Sequence, residues 1–373
     1  MPPVRRDSVA FTVVVTVTVV LCAAVMLFLL GFAGAPGTVL LATGFAAVPV
    51  GPVVAAYMWL DRYEPEPKSL LVMALLWGAF VATATAVVID GVGGVLAGLS
   101  DNASLAVVAP LTEEATKGLF LFLLLWWRRA EVDGILDGLV YAGMVGIGFA
   151  FTENILYLAA AYNGTDGTAP GGLAGVTGTF VIRCLFSPFA HPLFTSFTGI
   201  GIGIAIGSRR PAVRVLAPLG GYLCAALAHG VWNSSTIYGF GSFVLVYLVL
   251  MLPVFVGLVS MAIWARNWER RMLTESLQDA AARGLIPATD IGWVVDLRAR
   301  RLARRHARGA GGRDAERAVA DYQQAAVELG FLHSRLLRGT APRDWQARGQ
   351  DFVARIAAVR PRFAFPGQVV PQR

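Results

Sequence analysis

The sequence has few charged residues, few cysteines and very little lysine. Asp, Glu, Lys and Arg make up 15% of its 373 residues, whereas a soluble globular protein usually has about 25%. This deficit argues against an ordinary soluble protein. The three cysteines, Cys22, Cys184 and Cys224, have the spacing of neither a zinc site nor a disulfide framework. We expect them to be small buried residues.

Apolar residues make up 56% of the sequence and fall into long runs. A run of about 20 apolar residues crosses a bilayer as an α-helix, because lipid offers no partner for free backbone groups. The pattern predicts an all-α, polytopic transmembrane helix bundle of about eight spans, at 9–33, 37–60, 69–90, 104–127, 134–162, 173–207, 213–236 and 242–265. The sixth is too long for one straight crossing, and Pro188 and Pro192 predict a broken, tilted or re-entrant segment there.

The basic residues predict the orientation of these spans. Arg and Lys follow alternate spans, while the loops between the remaining spans contain neither residue. By the positive-inside rule, both termini are then cytoplasmic. Arg5 and Arg6 precede the first apolar run as in a signal peptide, but that run is longer than a typical signal core. We therefore interpret it as an uncleaved first span.

The chain divides by composition into residues 1–265, the transmembrane domain, and residues 266–373, a basic tail. The tail has 20 Arg against 11 Asp plus Glu. It is predicted to be helical at first and then partly disordered, in the stretch with Pro342, Pro361, Pro366 and Pro371. A solvated cytoplasmic region is the simplest interpretation. Binding to anionic lipid headgroups is the sharper hypothesis, because clustered basic residues beside a span are attracted to that leaflet. No motif for nucleic-acid binding is present.

Ionisable side chains within the predicted spans are the strongest functional signal. Each costs roughly 2.5–3.5 kcal/mol on insertion scales, so such residues usually have a function. The candidates come from four different spans and comprise Glu113, Glu114, Lys117, Glu153, Arg183, His191 and His229, with the amide Asn233 one helical turn after the last histidine. Intramembrane ion pairs that only hold helices together, and a proton-coupled transporter, explain part of this set.

Spacing refines the prediction. Lys117 lies four residues after Glu113 and three after Glu114, so a carboxylate–ammonium pair can form on one helix face. Lys117 is one of only two lysines in the chain, which suggests that a compact point charge is required there. A count along the spans places Glu113, Glu153 and His229 at similar depths in the outer half of the bilayer.

These motifs resemble the PrsW family of bacterial intramembrane proteases over about residues 55–240. The resemblance rests on Asp-Arg-Tyr-Glu-Pro-Glu-Pro at 61–67, Glu-Glu-x-x-Lys at 113–117, Asp-Gly at 137–138, Phe-x-x-x-Glu-Asn at 149–154, Arg183 followed by His191, and His-x-x-x-Asn at 229–233. The related CAAX-prenyl endopeptidases have His where this chain has Glu153. The tail after Arg266 matches no known pattern.

The resemblance implies cleavage of single-span, membrane-anchored proteins, such as anti-sigma factors, in the bacterial cytoplasmic membrane. Glu113 or Glu114 would activate a water, Lys117 would offset the second carboxylate, and Asn233 would donate to the oxyanion. We favour this scheme without a cofactor. The alternative is a catalytic zinc held by His191, His229 and Glu153. A transporter or a non-catalytic membrane receptor is the alternative from another class.

Overall fold

The fold consists of helices connected by short loops. The computed structural model describes residues 9–98, 100–165, 171–342 and 344–368, apart from the side chains of 92–97 and 130. The predicted signals at Arg5 and Arg6 lie outside these residues. Helices account for 86% of the structure, and the described part of the chain contains no strand. The all-α prediction is therefore confirmed.

In the described residues, nine helices begin before the C-terminal region, and several contain a π-helical turn. Their bounds are α1 Val9–Leu30; α2 Pro36–Leu60; α3 Lys68–Leu76, Trp77–Ala82 (π) and Thr83–Ala97; α4 Asp101–Ala103, Ser104–Val108 (π) and Ala109–Trp127; α5 Ile135–Asn163; α6 Gly172–Phe180 and Val181–Phe186 (π); α7 Ala190–Gly207; α8 Pro211–Ile237; and α9 Phe240–Val246, Tyr247–Met251 (π) and Leu252–Ala282.

Seven segments of the described residues are long and apolar enough to cross a membrane: α1, α2, α3, α5, α6 with α7, α8 and α9. The remaining predicted span, 104–127, is helical throughout as α4. It is absent from this set because its central turns hold Glu113, Glu114 and Lys117, which make its composition too polar. The predicted break in the sixth span is present: α6 ends at Phe186, and α7 begins at Ala190.

The described residues form two compact units. The first comprises residues 9–60 and 66–261, and α5 lies at its centre, in contact with α2, α3, α4, α6 and α7. Glycines permit this packing. A Cβ on Gly148 would lie 1.9 Å from the Leu75 carbonyl oxygen, and one on Gly146 would lie 2.7 Å from the Pro192 backbone. The helices therefore approach each other as closely as their backbones allow.

The start of α5 is fixed by a cap. The Asp137 carboxylate accepts hydrogen bonds from the backbone N–H groups of Asp133, at 2.7 Å, and Gly134, at 3.1 Å. These donors would otherwise lack a partner at the helix N-terminus. On the next turn, the Tyr141 hydroxyl donates to Glu66 at 2.6 Å. Asp137 and Glu66, both part of the family-like motifs, thus hold α5 in place rather than act in the cluster described below.

The second unit comprises residues 61–65 and the chain from 262 onward. Its helices are the C-terminal part of α9, α10 Ile291–Val295, α11 Leu297–Arg338 and α12 Trp345–Val359. α11 bends at Gly311 and Gly312, whose backbone angles are not helical. The region predicted to be partly disordered includes α12, and Phe363 and Phe365 are buried with Tyr322 in one apolar core.

The buried carboxylate of Asp290 connects separate segments of this core. Asp290 is fully buried and accepts hydrogen bonds from Tyr322, at 2.7 Å, and from Arg360 Nε, at 2.6 Å. Arg360 also lies over the Phe363 and Phe365 rings. Burial and the Asp290 charge raise the pKa of Tyr322, so its hydroxyl remains a donor. Pairing makes the buried carboxylate tolerable.

Candidate active site

The predicted carboxylate–lysine pair is present on α4 and forms the centre of a buried cluster. Lys117 Nζ lies 3.1 Å from Glu113 Oε2, 2.9 Å from Glu114 Oε1 and 3.1 Å from His191 Nδ1. The lysine side chain is fully buried, and Nζ lies 3.6 Å from the centroid of the Phe149 ring. Its three N–H donors therefore have three acceptors, and an aromatic face closes the fourth side.

Glu114 is the most fully engaged carboxylate in the cluster. Besides the lysine, it accepts a hydrogen bond from the Thr195 hydroxyl at 3.0 Å, and His229 Nδ1 lies 3.1 Å from Oε1. Thr195 is on α7 and His229 on α8. Three helices therefore meet at one carboxylate, which has a donor for most of its lone pairs.

Glu113 is less engaged. Apart from Lys117, its neighbour in the cluster is His229 Nε2, 3.8 Å from Oε2. This separation exceeds a direct hydrogen bond. It suits two groups that share one water. Among the described residues, Lys117 is therefore the one hydrogen-bond donor to Glu113.

Hydrogen bonding assigns the protons on both imidazoles. An ammonium can only donate, so His191 Nδ1 accepts from Lys117. The proton of a neutral His191 then lies on Nε2, which is 2.7 Å from Glu153 Oε2. His229 donates from Nδ1 to Glu114, which leaves Nε2 as its acceptor. The Phe194 ring stacks on His229, with centroids 4.8 Å apart, and holds the ring plane.

Glu153 lies at the periphery of the cluster, between His191 and Arg183. It is paired with Arg183 as well as with His191. Arg183 Nε also donates to the Asn154 side chain at 2.8 Å, and its guanidinium lies over Tyr157. Glu153 therefore fixes the orientation of His191. His191 links Glu153, through Nε2, to Lys117, through Nδ1.

Asn233, on α8, lies to one side of the cluster. Its amide donates to the backbone carbonyl of Leu105 at 3.1 Å, in the π-helical turn of α4. Such a turn disturbs the regular backbone ladder, and the amide satisfies a carbonyl there. One of its two N–H donors is used in this way. Its function as an oxyanion donor stays a prediction.

Two side chains near the cluster, Thr195 and Asp90, were not predicted from the sequence. Thr195 carries no signal, because threonine is ordinary in an apolar helix. Asp90 on α3 accepts a hydrogen bond from Thr112, the residue before Glu113, at 3.2 Å. An acidic residue at the end of an apolar run was a detectable signal. A cavity of about 70 Å³ adjoins His191 and is lined in part by Asn154, Arg183 and Ser187, at the break between α6 and α7.

Comparison with known proteins identifies the family. Residues 66–258, half of the chain, match the profile described as "PrsW family intramembrane metalloprotease". The chain belongs to the PrsW family. It is similar to two curated proteins named Protease PrsW. One, from Geobacillus kaustophilus (strain HTA426), is 31% identical over 163 residues, which are 43% of this chain and 65% of the relative. The other, from Oceanobacillus iheyensis, is 30% identical over 132 residues, 35% and 54% of the two chains.

This chain therefore spans less than two thirds of the length of either PrsW relative. No solved structure matches it. All members of the buried cluster lie within the matched residues, and the family assignment agrees with the apolar helices that make the chain a multi-pass membrane protein. The unit that begins at residue 262 lies outside the match.

The word metalloprotease in the family description implies a metal, and the donor types agree with one. One ligand atom each from Glu113, His191 and His229 lies within 4.8 Å of the others. Two His and one carboxylate form a common catalytic zinc set, and carboxylates support both histidines. Glu153, the carboxylate of the alternative zinc set, contacts His191 Nε2 at 2.7 Å, and its role as a ligand stays a prediction. However, Lys117 Nζ lies 3.1 Å from both Glu113 Oε2 and His191 Nδ1. With the ammonium there, the arrangement does not fit a zinc ion.

Proposed function

We propose that this chain is an intramembrane endopeptidase that cleaves membrane-anchored protein substrates, with anti-sigma factors as the expected type. One observation carries the proposal: two histidines and three carboxylates from four helices form one buried cluster with a lysine in a PrsW-family chain. Buried ionisable groups are costly in a membrane and are retained for function. We further propose the bacterial cytoplasmic membrane, with both termini in the cytoplasm, from the distribution of basic residues.

Glu113 is our candidate for the general base. A base must have a lone pair directed at the attacking water. Glu114 accepts from Lys117, Thr195 and His229, whereas Glu113 accepts from Lys117 alone within hydrogen-bond distance. A water between Glu113 and His229 Nε2 can give its proton to the carboxylate while the histidine holds it. The sequence left the choice between the two glutamates open, and the hydrogen bonding favours Glu113.

The other members hold this arrangement or stabilise the transition state. Lys117 allows two adjacent carboxylates to be charged in a buried site. Attack of hydroxide on the scissile carbonyl creates an oxyanion, to which Asn233 can donate its second amide hydrogen, while the positive charge of Lys117 stabilises it electrostatically. Protonated Glu113 then delivers its proton to the leaving nitrogen, which restores the carboxylate. Glu153 orients His191 through its contact with Nε2.

The proposal excludes a metal from the reaction because of where Lys117 lies. Incubation of the protein with a strong chelator should therefore leave cleavage unchanged, whereas a zinc enzyme loses activity and regains it with Zn²⁺. Zn²⁺-dependent recovery would overturn the metal-free scheme and leave the peptidase proposal intact.

The proposal is tested with the purified full chain and a panel of single-span proteins from the source organism, anti-sigma factors first. The wild type should cleave one of them, and Glu113→Gln should reduce the rate by about 10²–10⁴-fold. Glu275→Gln is the matched control, because Glu275 is exposed and outside the cluster. Unchanged cleavage by both Glu113→Gln and Glu114→Gln would sink the assignment. Proton transport in proteoliposomes without cleavage would point to a transporter.

A further inference from the structure

The first half of α11 presents a row of arginines to solvent. Arg298, Arg301 and Arg305 are exposed and are spaced by three and four residues, so they lie on one helix face. Leu302 lies on the same face, and its exposed fraction is 54%. We call Arg298, Arg301, Leu302 and Arg305 the arginine face.

The opposite face of the same helix packs into the C-terminal unit. Arg300, Ala303 and Ala307 are buried there. The Arg300 guanidinium donates to the carbonyl of Tyr63 at 3.1 Å, also within this unit. The helix is therefore fixed along one side. The arginine face is not free to turn inward.

The arginine face lacks side-chain partners within the described part of the chain. Other exposed arginines of this unit pair locally: Arg283 with Asp279 at 2.8 Å, and Arg317 with Asp314 at 3.4 Å. Arg298, Arg301 and Arg305 make no ion pair or side-chain hydrogen bond there. Unpaired cations in a row give a local positive potential that favours an anionic surface.

In sequence, the arginine face follows soon after an apolar segment of membrane-crossing length. α9 contains the last apolar segment, and its exposed Trp264 and Trp268 are followed by Arg270 and Arg271, the order expected at a membrane–water boundary. Arg298 follows Ala282, the last residue of α9, by 16 residues. A segment of this length reaches at most about 55 Å. The arginine face is thus tethered to a helix that contains an apolar segment of membrane-crossing length, which raises its effective concentration relative to that membrane.

We propose that the arginine face binds anionic phospholipid headgroups of the leaflet beside α9. A guanidinium matches a phosphate with two parallel hydrogen bonds. Leu302 supplies an apolar contact with the headgroup–acyl boundary, as in interfacial helices. That leucine and the tether favour lipid over nucleic acid, because a polyanion in water gains nothing from an exposed leucine. The surface lies outside the residues matched by the family.

Each arginine near an anionic leaflet adds about fivefold to binding, so three add about 10²-fold. The test uses the full chain, with its three cysteines replaced by alanine, in nanodiscs. A polarity-sensitive fluorophore is attached at Leu302→Cys, and headgroup spin-labelled lipid is the quencher. We expect quenching in nanodiscs that contain phosphatidylglycerol and little in pure phosphatidylcholine. Added salt should reduce it, because exposed charges are screened.

The triple variant R298Q/R301Q/R305Q should abolish the quenching. The matched control, R283Q/R313Q/R317Q, removes the same charge from exposed positions elsewhere in the unit and should retain it. A fluorophore at exposed Gln350→Cys on α12 should be quenched in neither lipid. Equal quenching in both lipids, or equal loss in both triple variants, would overturn the proposal. So would a change in fluorophore emission on addition of duplex DNA without quenching by either lipid, which would assign the face to nucleic acid.

Discussion

Glu113 and Glu114 are adjacent in sequence, yet they should respond differently to the same substitution. In Glu114→Gln, the new amide meets three donors, from Lys117, His229 and Thr195. Only its oxygen can accept, so at least one donor loses its acceptor and a buried ammonium loses a counter-charge. Breaking a buried pair costs roughly 3–5 kcal/mol. In Glu113→Gln, the ammonium also loses a counter-charge, but the amide oxygen can still accept from Lys117 and no other donor loses its acceptor, so the cost is smaller, about 1–2 kcal/mol.

The assay combines thermal unfolding in detergent with cleavage. For a unit of this size, 1 kcal/mol corresponds to about 2–4 °C. Glu114→Gln should thus lower the unfolding temperature by roughly 6–20 °C, and Glu113→Gln by a few degrees. Both should lose cleavage, Glu113→Gln as a folded protein. If Glu114→Gln were as stable as the wild type and Glu113→Gln unfolded, the hydrogen-bond argument would be refuted and the two roles would exchange.

Three further predictions concern the lysine, the C-terminal unit and the topology. Lys117→Arg should impair cleavage, because a planar guanidinium cannot replace a compact ammonium between three acceptors; full activity would contradict this. Asp296 caps α11, and the backbone N–H of Ala299 lowers the pKa of its carboxyl. Asp296→Ala should lower the free energy of unfolding by about 1 kcal/mol above pH 5, and by less as the pH falls through the folded-state pKa of Asp296, while Asp296→Asn should be nearly neutral. Identical unfolding free energies of the wild type and Asp296→Ala at every pH would refute the cap. Reporter fusions should place Asn102 outside and Ala130 in the cytoplasm; inversion of either would overturn the span count.

The sequence predicted the parts of the cluster that depend on local spacing or on rarity. Glu113 and Lys117 are one helical turn apart, so their contact needs only a helix. His191 and His229 were recognisable because an imidazole in an apolar run is uncommon. Which carboxylate each histidine contacts depends on how α5, α7 and α8 pack, and no local pattern encodes that. Glu153 was therefore predicted as a possible metal ligand, although it contacts His191 from the outside.

The C-terminal unit was harder to predict for the same reason. Its arginines and alanines suggest a solvated helix, and four prolines suggest an irregular end. The contact that organises it joins Asp290 to Arg360, 70 residues later. Nothing in the local sequence distinguishes Asp290 or Arg360 from the many exposed charged residues around them. Only the folded chain distinguishes a buried acid from a surface one.

The glycines of α5 affect how loss-of-function mutations are interpreted. Gly146 lies two helical turns before Glu153 and touches the backbone of α7 beside His191. Gly146→Ala would separate the two helices and stretch the 2.7 Å contact between Glu153 and His191, without altering any reactive atom. A mutational screen scored only by activity would thus count this glycine as catalytic. To separate catalytic residues from structural ones, folding has to be measured for every inactive variant in addition to activity.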